Sequence, residues 1–341
     1  MATLKDIAAA TGISTSTISR VLNRDKTISV SAQTQQRIFD VARELGYVPV
    51  RSRGRAGTQH TPGALKMGIA QMFEPNQVLQ DPYYLYMKNE LEKECFANGV
   101  ETTTLFRGAD GDFIAPGAAK LDGIFAIGSF TLQEIRSFER CSRYVVFLDS
   151  TPDDERYFAV VPNFHLGLRQ ALSRLLETGH RRIAFLGSRY TLQKTRDLLL
   201  DGRLYYFRNI LREKGLYDES LVLDCGMTSP EAYRVLSGAL PKWMERPDAL
   251  FLSSDAMVQG AMRALDEAGV RVPADMSVIA FNDTPLSQNA TPPLSAVRVL
   301  QHELAVAAVV SMRLCRANQE HPFKTVVPCA YIERGSVAAR G

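Results

Sequence analysis

The strongest constraint on the fold is an alternation that fills most of the chain after residue 66. Short apolar runs have the composition of buried strands, and they are "MGIAQM" (67–72), "ETTTLF" (101–106), "GIFAIG" (123–128), "YVVFLD" (144–149), "RIAFLG" (182–187), "LVLDC" (221–225), "ALFLSS" (249–254) and "SVIAF" (277–281). Amphipathic stretches of helical period separate most of these runs, at 84–98, 166–178, 203–214 and 257–268. Such alternation predicts parallel sheets with right-handed crossovers, and this many strands predict two doubly wound halves.

Length and composition agree with more than one domain. The chain has 341 residues, and a single hydrophobic core stops growing near about 250 to 300 residues. With 45% hydrophobic and 23% charged residues, it has the composition of an ordinary soluble globular protein.

The first 45 residues follow a different pattern, that of three short amphipathic helices. They are predicted at about 3–10, 15–22 and 31–45. Gly12 permits a sharp turn between the first two helices, and Ser14 can cap the second. The outward face of the second helix is small and polar, with Thr15, Ser16, Thr17, Ser19 and Arg20. Two helices joined by a glycine-containing turn are typical of a helix-turn-helix, whose second helix lies in the major groove of DNA.

Charge is distributed unevenly along the chain. The first 60 residues carry nine Lys and Arg side chains against four Asp and Glu, an excess of five positive charges. Because the whole chain has a net charge of +3, the remainder carries two net negative charges. A basic head on a mildly acidic body is typical of a nucleic-acid binder. The alternative is a solvated basic face without a partner.

Three residues of the second helix are candidates for reading bases. Arg20 is long enough to reach O6 and N7 of a guanine, whereas Thr15 and Ser16 can contact bases with little preference. Helix capping is the alternative role for the two hydroxyl residues, and a phosphate contact is the alternative for Arg20.

Motifs for catalysis are missing from the sequence. It has no Gly-x-Gly-x-x-Gly after a strand, no Gly-Lys-Ser/Thr loop and no Gly-x-Ser-x-Gly elbow. His302-Glu303 lacks the second His of a zinc site, and the five cysteines form no Cys-x-x-Cys pair. We therefore expect no catalytic residue, no metal and no cofactor. Since no signal core and no membrane-spanning apolar run is present, we expect a soluble cytoplasmic protein with inert thiols.

Several stretches together resemble the lactose/galactose repressor family (LacI/GalR). They are "TLKDIAAATGISTSTISRVLN", "RIFDVARELGYVP", "GHRRIAFLG", "GAMRALDEAGVRVPADMSVIAFND" and "PPLSAVR". The resemblance runs from Ala2 to about Gly335, nearly the whole chain. Sugar-operon repressors are similar to it, and the evolved β-galactosidase repressor subgroup is a candidate for the nearest relatives.

The resemblance implies a repressor of a carbohydrate-utilisation operon that binds a palindromic operator as a homodimer. Its body would be similar to periplasmic sugar-binding proteins, and a small sugar, a galactoside being one candidate, would bind between two halves and change DNA affinity. The implied domains are a helix-turn-helix domain 1–50, a hinge or linker 51–65, and an effector-binding and dimerisation domain 66–341, with halves 66–161 plus 293–325 and 162–292 plus 326–341.

The same resemblance assigns roles to individual residues. In the head, Thr15, Ser16 and Arg20 match base-reading positions, while Thr3, Ser14 and Asn23 match positions that touch phosphates. In the body, the implied effector contacts are Phe73, Tyr83, Tyr84, Asp149, Arg203, Ser254, Asp255 and Asn282.

Some of these positions carry alternatives. Arg203 corresponds to an Arg that holds sugar hydroxyls or a carboxylate, whereas Asp149 suits either a sugar contact or a strand-end turn. Tyr83 and Tyr84 are neighbours on one helix and point different ways, so at least one is expected in the core. Asn282 replaces the first Asp of a usual pair and can still donate to and accept from a hydroxyl.

Two stretches depart from the family pattern. The chain has Val50 where an Asn is usual, and Gly54 and Gly57 disfavour the short helix that places a Leu in the minor groove. Basic side chains could follow phosphates or enter a narrow groove instead, namely Arg51, Arg53 and Arg55. Pro162-Asn163 replaces the usual Asp-Asn, which alters part of the standard pocket.

Other functional classes remain open at this point. An exported sugar-binding protein would share the body but not the basic head, a sugar-converting enzyme would need paired catalytic groups, and a nucleoid-type binder would have no effector. The sequence leaves open whether the effector releases or strengthens DNA binding. The C-terminal "VAARG" carries no heptad pattern, so we do not expect a coiled-coil tetramer.

Overall fold

The computed structural model describes residues 4–22, 30–44, 65–74, 81–118, 120–191, 199–317 and 320–340. The chain forms two compact units, Met1–Ala64 and Leu65–Gly341, called here the head and the body. The predicted linker 51–65 lies outside the described residues except for Leu65, as do Leu45 and the predicted end of the third helix.

The head is a three-helix unit with a small core. Its helices are α1 (Leu4–Thr11), α2 (Thr15–Leu22) and α3 (Ala32–Glu44). The buried side chains are those that the helical period placed inward, namely Ile7, Ile18, Val21, Ile38 and Ala42. Gly12 has a φ of +71°, a conformation that glycine adopts without steric cost, and this allows the turn between α1 and α2.

The body alternates strands and helices along the chain. Its strands are β1 (Lys66–Gln71), β2 (Glu101–Thr104), β3 (Phe106–Arg107), β4 (Phe113–Ile114), β5 (Gly123–Ile127), β6 (Val145–Leu148), β7 (Phe158–Pro162), β8 (Ile183–Gly187), β9 (Tyr190–Thr191), β10 (Leu199–Leu200), β11 (Val222–Asp224), β12 (Ala249–Leu252), β13 (Ser277–Asn282), β14 (Ser295–Val299), β15 (Lys324–Val327) and β16 (Cys329–Ile332). Its helices are α4 (Tyr83–Ala97), α5 (Leu132–Cys141), α6 (Phe164–Glu177), α7 (Gly202–Glu213), α8 (Ser229–Ala239), α9 (Val258–Glu267), α10 (Pro285–Gln288) and α11 (Gln301–Arg316). No helix in the described part of the chain is both long and apolar enough to cross a membrane.

Two six-stranded sheets divide the body into two lobes. The first lobe contains the parallel sheet β15-β7-β6-β5-β1-β2, covered by α4 and α11 on one face and by α5 on the other. The second lobe contains the sheet β11-β8-β12-β13-β14-β16, with α6 and α7 on one face and α8 and α9 on the other. The predicted architecture of two doubly wound halves is therefore confirmed.

The chain crosses between the lobes at three places among the described residues. These crossings follow β7, β14 and β15, and each is only a few residues long. The N–H of Asn163 in the first crossing donates to the carbonyl oxygen of Val327 in the third, at 2.7 Å. The first and third crossings are therefore tied together side by side, an arrangement suited to a hinge.

The structure departs from the sequence prediction in three details. The run predicted at 101–106 is interrupted at Leu105, which is buried while the chain continues in β3. Strand β14 pairs with β13 in the second lobe, although the predicted boundary at 293 assigns it to the first, because the chain leaves the second sheet only after Val299. The edge strand β16 pairs antiparallel to β14. The other domain boundaries stay a prediction.

The cysteines are free thiols. Burial raises the pKa of Cys95, Cys225 and Cys329 to about 12, so these thiols stay protonated and unreactive near neutral pH.

Candidate functional site

Helix α2 presents a polar face with a defined start. The Ser14 Oγ accepts a hydrogen bond from the N–H of Thr17 at 3.2 Å and therefore caps the helix. Thr15, Ser16 and Arg20 are exposed, while Ile18 on the opposite face is fully buried. The cap is Ser14, so the exposed side chains of Thr15 and Ser16 are not needed for that role.

Five of the predicted DNA contacts lie outside the described residues. They are Thr3, Asn23, Arg51, Arg53 and Arg55.

In the first lobe, two tyrosines converge on one carboxylate. The Tyr83 hydroxyl donates to Asp149 Oδ1 at 2.7 Å, and the Tyr84 hydroxyl donates to Asp149 Oδ2 at 3.0 Å. The Tyr84 ring makes edge-to-face contacts with Tyr83 at 5.0 Å and with Phe73 at 4.9 Å between centroids. Tyr83 lies in the core, as expected for at least one of the pair, yet both hydroxyls reach Asp149. Burial raises the pKa of all three groups.

In the second lobe, Arg203 is held by a bidentate ion pair. Its Nε and Nη2 donate to the two carboxylate oxygens of Asp201 at 2.9 and 2.8 Å, and its Nη1 donates to the carbonyl oxygen of Ser253 at 2.9 Å. The guanidinium lies 5.5 Å from the ring centroid of Phe164 and 5.8 Å from that of Phe281. Burial acts to raise the pKa of Asp201, but the charge of Arg203 outweighs this effect and holds that pKa below its usual value. Arg203 is thus a fixed positive charge rather than a mobile one.

Three more predicted residues meet at the carboxyl ends of β12 and β13. Asn282 Nδ2 donates to Ser254 Oγ at 3.4 Å, and Asp255 Oδ2 accepts the N–H of Thr284. The other oxygen of Asp255, Oδ1, is buried and has no hydrogen-bond partner among the described residues. Burial raises the pKa of Asp255 to about 7.

The predicted residues of the two lobes lie near one another. Arg203 of the second lobe acts electrostatically on Tyr84, Asp149 and Asp81 of the first lobe, and Asp81 acts on Asp255 of the second. The interlobe cluster comprises Phe73, Asp81, Tyr83, Tyr84, Asp149, Asp201, Arg203, Ser254, Asp255 and Asn282.

Sequence reasoning missed Asp81, Asp201 and Met227. Asp81 accepts the N–H of Tyr83 at 3.2 Å, and burial raises its pKa to about 6. Asp201 caps α7 and pairs with Arg203, while the sulfur of Met227 lies 3.4 Å from Arg203 Nη2. For the two acids the available signal was their position just before α4 and α7, because ligands of open α/β sheets bind where helices follow the carboxyl ends of strands.

Asn163, in the altered Pro-Asn pair, has a structural role. Its Oδ1 accepts the N–H of Leu166 at 2.9 Å and caps α6.

Backbone conformation also marks this region. Among the described residues, the non-glycine positions with positive φ are Asp149 (+68°), Asn282 (+96°) and Asp283 (+62°). All three follow or end strands that point toward the interlobe cluster. Asp and Asn tolerate this conformation better than most residues, and such positions concentrate at ligand sites.

The cluster offers aromatic faces, carboxylates, an amide and one guanidinium. Sugar hydroxyls are recognised by hydrogen bonds to such groups, and apolar faces of sugar rings pack on aromatic side chains. The arrangement therefore suits a small polyhydroxylated ligand. Among the described residues, no group of three or more His, Cys, Asp or Glu side chains could hold a metal ion.

Comparison with known proteins identifies both parts of the chain. Residues 3–50 match the model of bacterial regulatory proteins of the lacI family, and residues 172–337 match that of the periplasmic binding protein-like domain.

The relatives match over nearly the whole chain. It is 33% identical to the HTH-type transcriptional regulator GalR of Streptococcus thermophilus over 309 residues, 91% of each chain. It is 31% identical to the HTH-type transcriptional repressor MelR of Bacillus subtilis over 343 residues, 98% of this chain and 97% of the relative.

Solved structures share the fold. A transcriptional regulator CelR–cellobiose complex has a TM-score of 0.68 at 23% identity and covers 98% of this chain and 100% of its own. A lac repressor dimer bound to operator and the anti-inducer ONPF has a TM-score of 0.65 at 22% identity, with 99% of both chains covered. The chain therefore belongs to the lacI family of bacterial regulatory proteins and is a transcription regulator, with a helix-turn-helix head and a periplasmic binding protein-like body.

Proposed function

We propose that this regulator represses a carbohydrate-utilisation operon in the cytoplasm. It binds a palindromic operator as a homodimer and leaves it when a small sugar, with a galactoside as the leading candidate, binds between the lobes. The observation that carries the proposal is the interlobe cluster, in which side chains from two separate sheets supply hydrogen-bonding and aromatic groups to one place.

For DNA, the head contributes α2. Thr15, Ser16 and Arg20 face base edges in the major groove, with Ser14, Thr3 and Asn23 on phosphates. The basic residues 51, 53 and 55 add affinity without sequence preference, so binding weakens steeply as salt rises. Two-fold symmetry of a dimer matches two half-sites of a palindrome.

For the effector, the sugar contacts come from both lobes. From the first lobe they are Phe73, Tyr83, Tyr84 and Asp149, and from the second lobe they are Arg203, Ser254, Asp255 and Asn282. A ligand that touches both lobes favours one angle between them, because it can shift the equilibrium only through its differential affinity for the two states. The crossings between the lobes are where that angle changes.

Proteins of the same fold support the choice of a sugar, because their solved structures are described with cellobiose, lactose or ribose. The choice of a repressor is supported by the relative MelR, which is a transcriptional repressor. Regulation, and not catalysis, is the activity of this family. We assign residues 1–50 to DNA binding, 51–65 to the hinge and 66–341 to effector binding and dimerisation.

A pull-down of fragmented genomic DNA tests the proposal. The full-length protein is incubated with DNA of its own source organism, with and without galactose, lactose, cellobiose or ribose, and bound fragments are sequenced. We expect one or a few palindromic sites beside transport or glycosidase genes, released by one of the sugars. Uniform recovery of all fragments would identify a non-specific binder, and specific sites that no sugar affects would rule out the effector role.

A further inference from the structure

We propose that the effector is an uncharged, hydroxyl-rich sugar, and that Asp81 and Asp255, one from each lobe, are the residues that exclude acidic sugars such as uronates and sugar phosphates. The inference rests on the proposed function, because it takes the interlobe cluster as the effector site. It adds the charge class of the effector and a specificity role for two carboxylates.

The positive charge in the cluster is already used. Arg203 has five N–H groups, of which four are engaged by the carboxylate of Asp201, the carbonyl oxygen of Ser253 and the sulfur of Met227. An anionic group arriving at Arg203 would compete with a bidentate, buried carboxylate. Binding of a uronate or phosphate at this position would therefore have to disrupt an existing ion pair.

Most other donors in the cluster are also engaged. The hydroxyls of Tyr83 and Tyr84 donate to Asp149, and the amide of Asn282 donates to Ser254. An incoming acceptor therefore finds few donors that are not already engaged.

Acceptors, in contrast, are in excess. Asp255 Oδ1 is buried and receives no hydrogen bond from the described residues. Asp81 is half-buried, and its Oδ1 accepts the N–H of Tyr83. A buried acceptor without a donor is costly. The hydroxyl groups of a neutral sugar are donors that can satisfy both carboxylates at once.

The net charge of the cluster also disfavours an anionic ligand. The first lobe contributes Asp81 and Asp149, and the second contributes Asp201, Asp255 and a single cation, Arg203. Asp81 repels Asp255 and Asp149 electrostatically. Burial raises the pKa of Asp81 and of Asp255, and the neighbouring carboxylates raise both further. The site therefore disfavours additional negative charge. A carboxylate or phosphate on the ligand would add to the same repulsion.

Matched pairs of ligands test the inference on the full-length protein. Binding of galactose and ribose is measured by calorimetry and by the thermal midpoint, beside galacturonate, galactose 6-phosphate and ribose 5-phosphate, with lactose and cellobiose as further neutral probes. We expect at least one neutral sugar to bind and its acidic counterpart to bind at least about tenfold more weakly at pH 7.5, since like charges in a partly buried site disfavour binding strongly. An acidic counterpart that binds as well as the neutral sugar would overturn the inference and leave the sugar-effector proposal intact. If no probe of either kind binds, the proposed function itself fails.

Variants connect the discrimination to the two carboxylates. Asp81→Asn and Asp255→Asn keep the size of the side chain and an oxygen acceptor. Each should reduce the ratio of the affinity for a neutral sugar to that for its acidic counterpart by about threefold or more. Asp266→Asn, on the exposed surface of α9, removes the same charge at a distance and should leave this affinity ratio unchanged. If all three variants discriminate as well as the unaltered protein, the two acids are not the specificity residues. Because the comparison of paired ligands uses the unaltered protein, it remains decisive even if a cluster variant does not fold.

Discussion

Replacing Asp255 by Asn should make the second lobe less sensitive to alkaline pH. The Asp255 carboxyl is fully buried, its Oδ1 has no partner among the described residues, and burial raises its pKa from 3.8 to about 7. The folded protein therefore holds this proton more tightly than the unfolded chain does. The stability that it contributes is complete below about pH 4 and is lost as the pH rises through about 7.

The size of this effect follows from the difference in pKa. A difference of about three corresponds to about 4 kcal/mol of unfolding free energy, of which about 2 to 3 kcal/mol is lost between pH 5 and pH 8. Burial also raises the pKa of Asp81, to about 6. Asp81 therefore loses its proton over the same pH range in the unaltered protein and in Asp255→Asn. The difference between the unaltered protein and Asp255→Asn therefore reports the contribution of Asp255 together with its repulsion of Asp81.

Urea unfolding at pH 5 and pH 8 measures this loss of unfolding free energy. Trp243 is the chain's one tryptophan and packs against the core of the second lobe, so its fluorescence reports this lobe. We expect the unaltered protein to lose about 2 to 3 kcal/mol more than Asp255→Asn over this pH range, and Asp266→Asn to behave like the unaltered protein. Losses of stability that agree within about 0.5 kcal/mol would mean that the Asp255 carboxylate is solvated or paired and does not hold its proton as burial predicts.

Further substitutions test the head, the effector site and the packing of the second lobe. Arg20→Ala should lower the preference for operator over unrelated DNA by about tenfold or more in competition anisotropy, and an unchanged preference would mean that α2 does not read bases. Arg203→Ala should abolish the effector-induced rise in thermal midpoint, whereas Arg212→Ala, exposed on the same helix, should retain it; an unchanged response of Arg203→Ala would place the effector elsewhere. Gly260→Ala should destabilise the body by about 3 kcal/mol or more, because a Cβ there would lie 1.8 Å from a carbonyl oxygen of the facing helix. Gly238→Ala, with nothing within 4 Å of its Cβ, should be neutral or stabilising by up to about 1 kcal/mol, and equal urea midpoints for the two alanine variants would contradict this account of the helix contact.

The alternation of strands and helices could be predicted because it depends on local pattern. Runs such as "SVIAF" become β13, a strand buried on both faces and flanked by parallel neighbours, and such burial requires an uninterrupted apolar sequence. In the head, the helical spacing of Ile18 and Val21 predicted the buried face of α2 correctly. In both cases each residue's environment follows from its neighbours in sequence.

The last strands could not be predicted in this way. β15 and β16 are separated by Pro328 alone, yet β15 joins the first sheet and β16 joins the second. Nothing in the four-residue sequences "KTVV" and "CAYI" specifies which sheet each strand joins. That choice depends on edges formed by strands far earlier in the chain.

For the cluster, several residues could be named from the sequence, but the bonds between them could not. Arg203 was expected to face the effector, but its bidentate bond to Asp201 depends on the backbone geometry at the start of α7. Asp81 precedes a proline at the start of α4 and has the pattern of an ordinary capping residue. Its position near Asp255, from another sheet, is a property of the tertiary fold.

Control of the head by the body requires reciprocal coupling between operator and effector. Operator affinity is measured at zero and saturating effector sugar, and affinity for that sugar is measured with and without saturating operator, all at one salt concentration and pH. We expect the sugar to weaken operator binding by some factor and the operator to weaken sugar binding by the same factor, because linkage requires it. Sugar affinity that is identical on and off the operator, with an operator affinity that sugar does not change, would contradict a head controlled by the body.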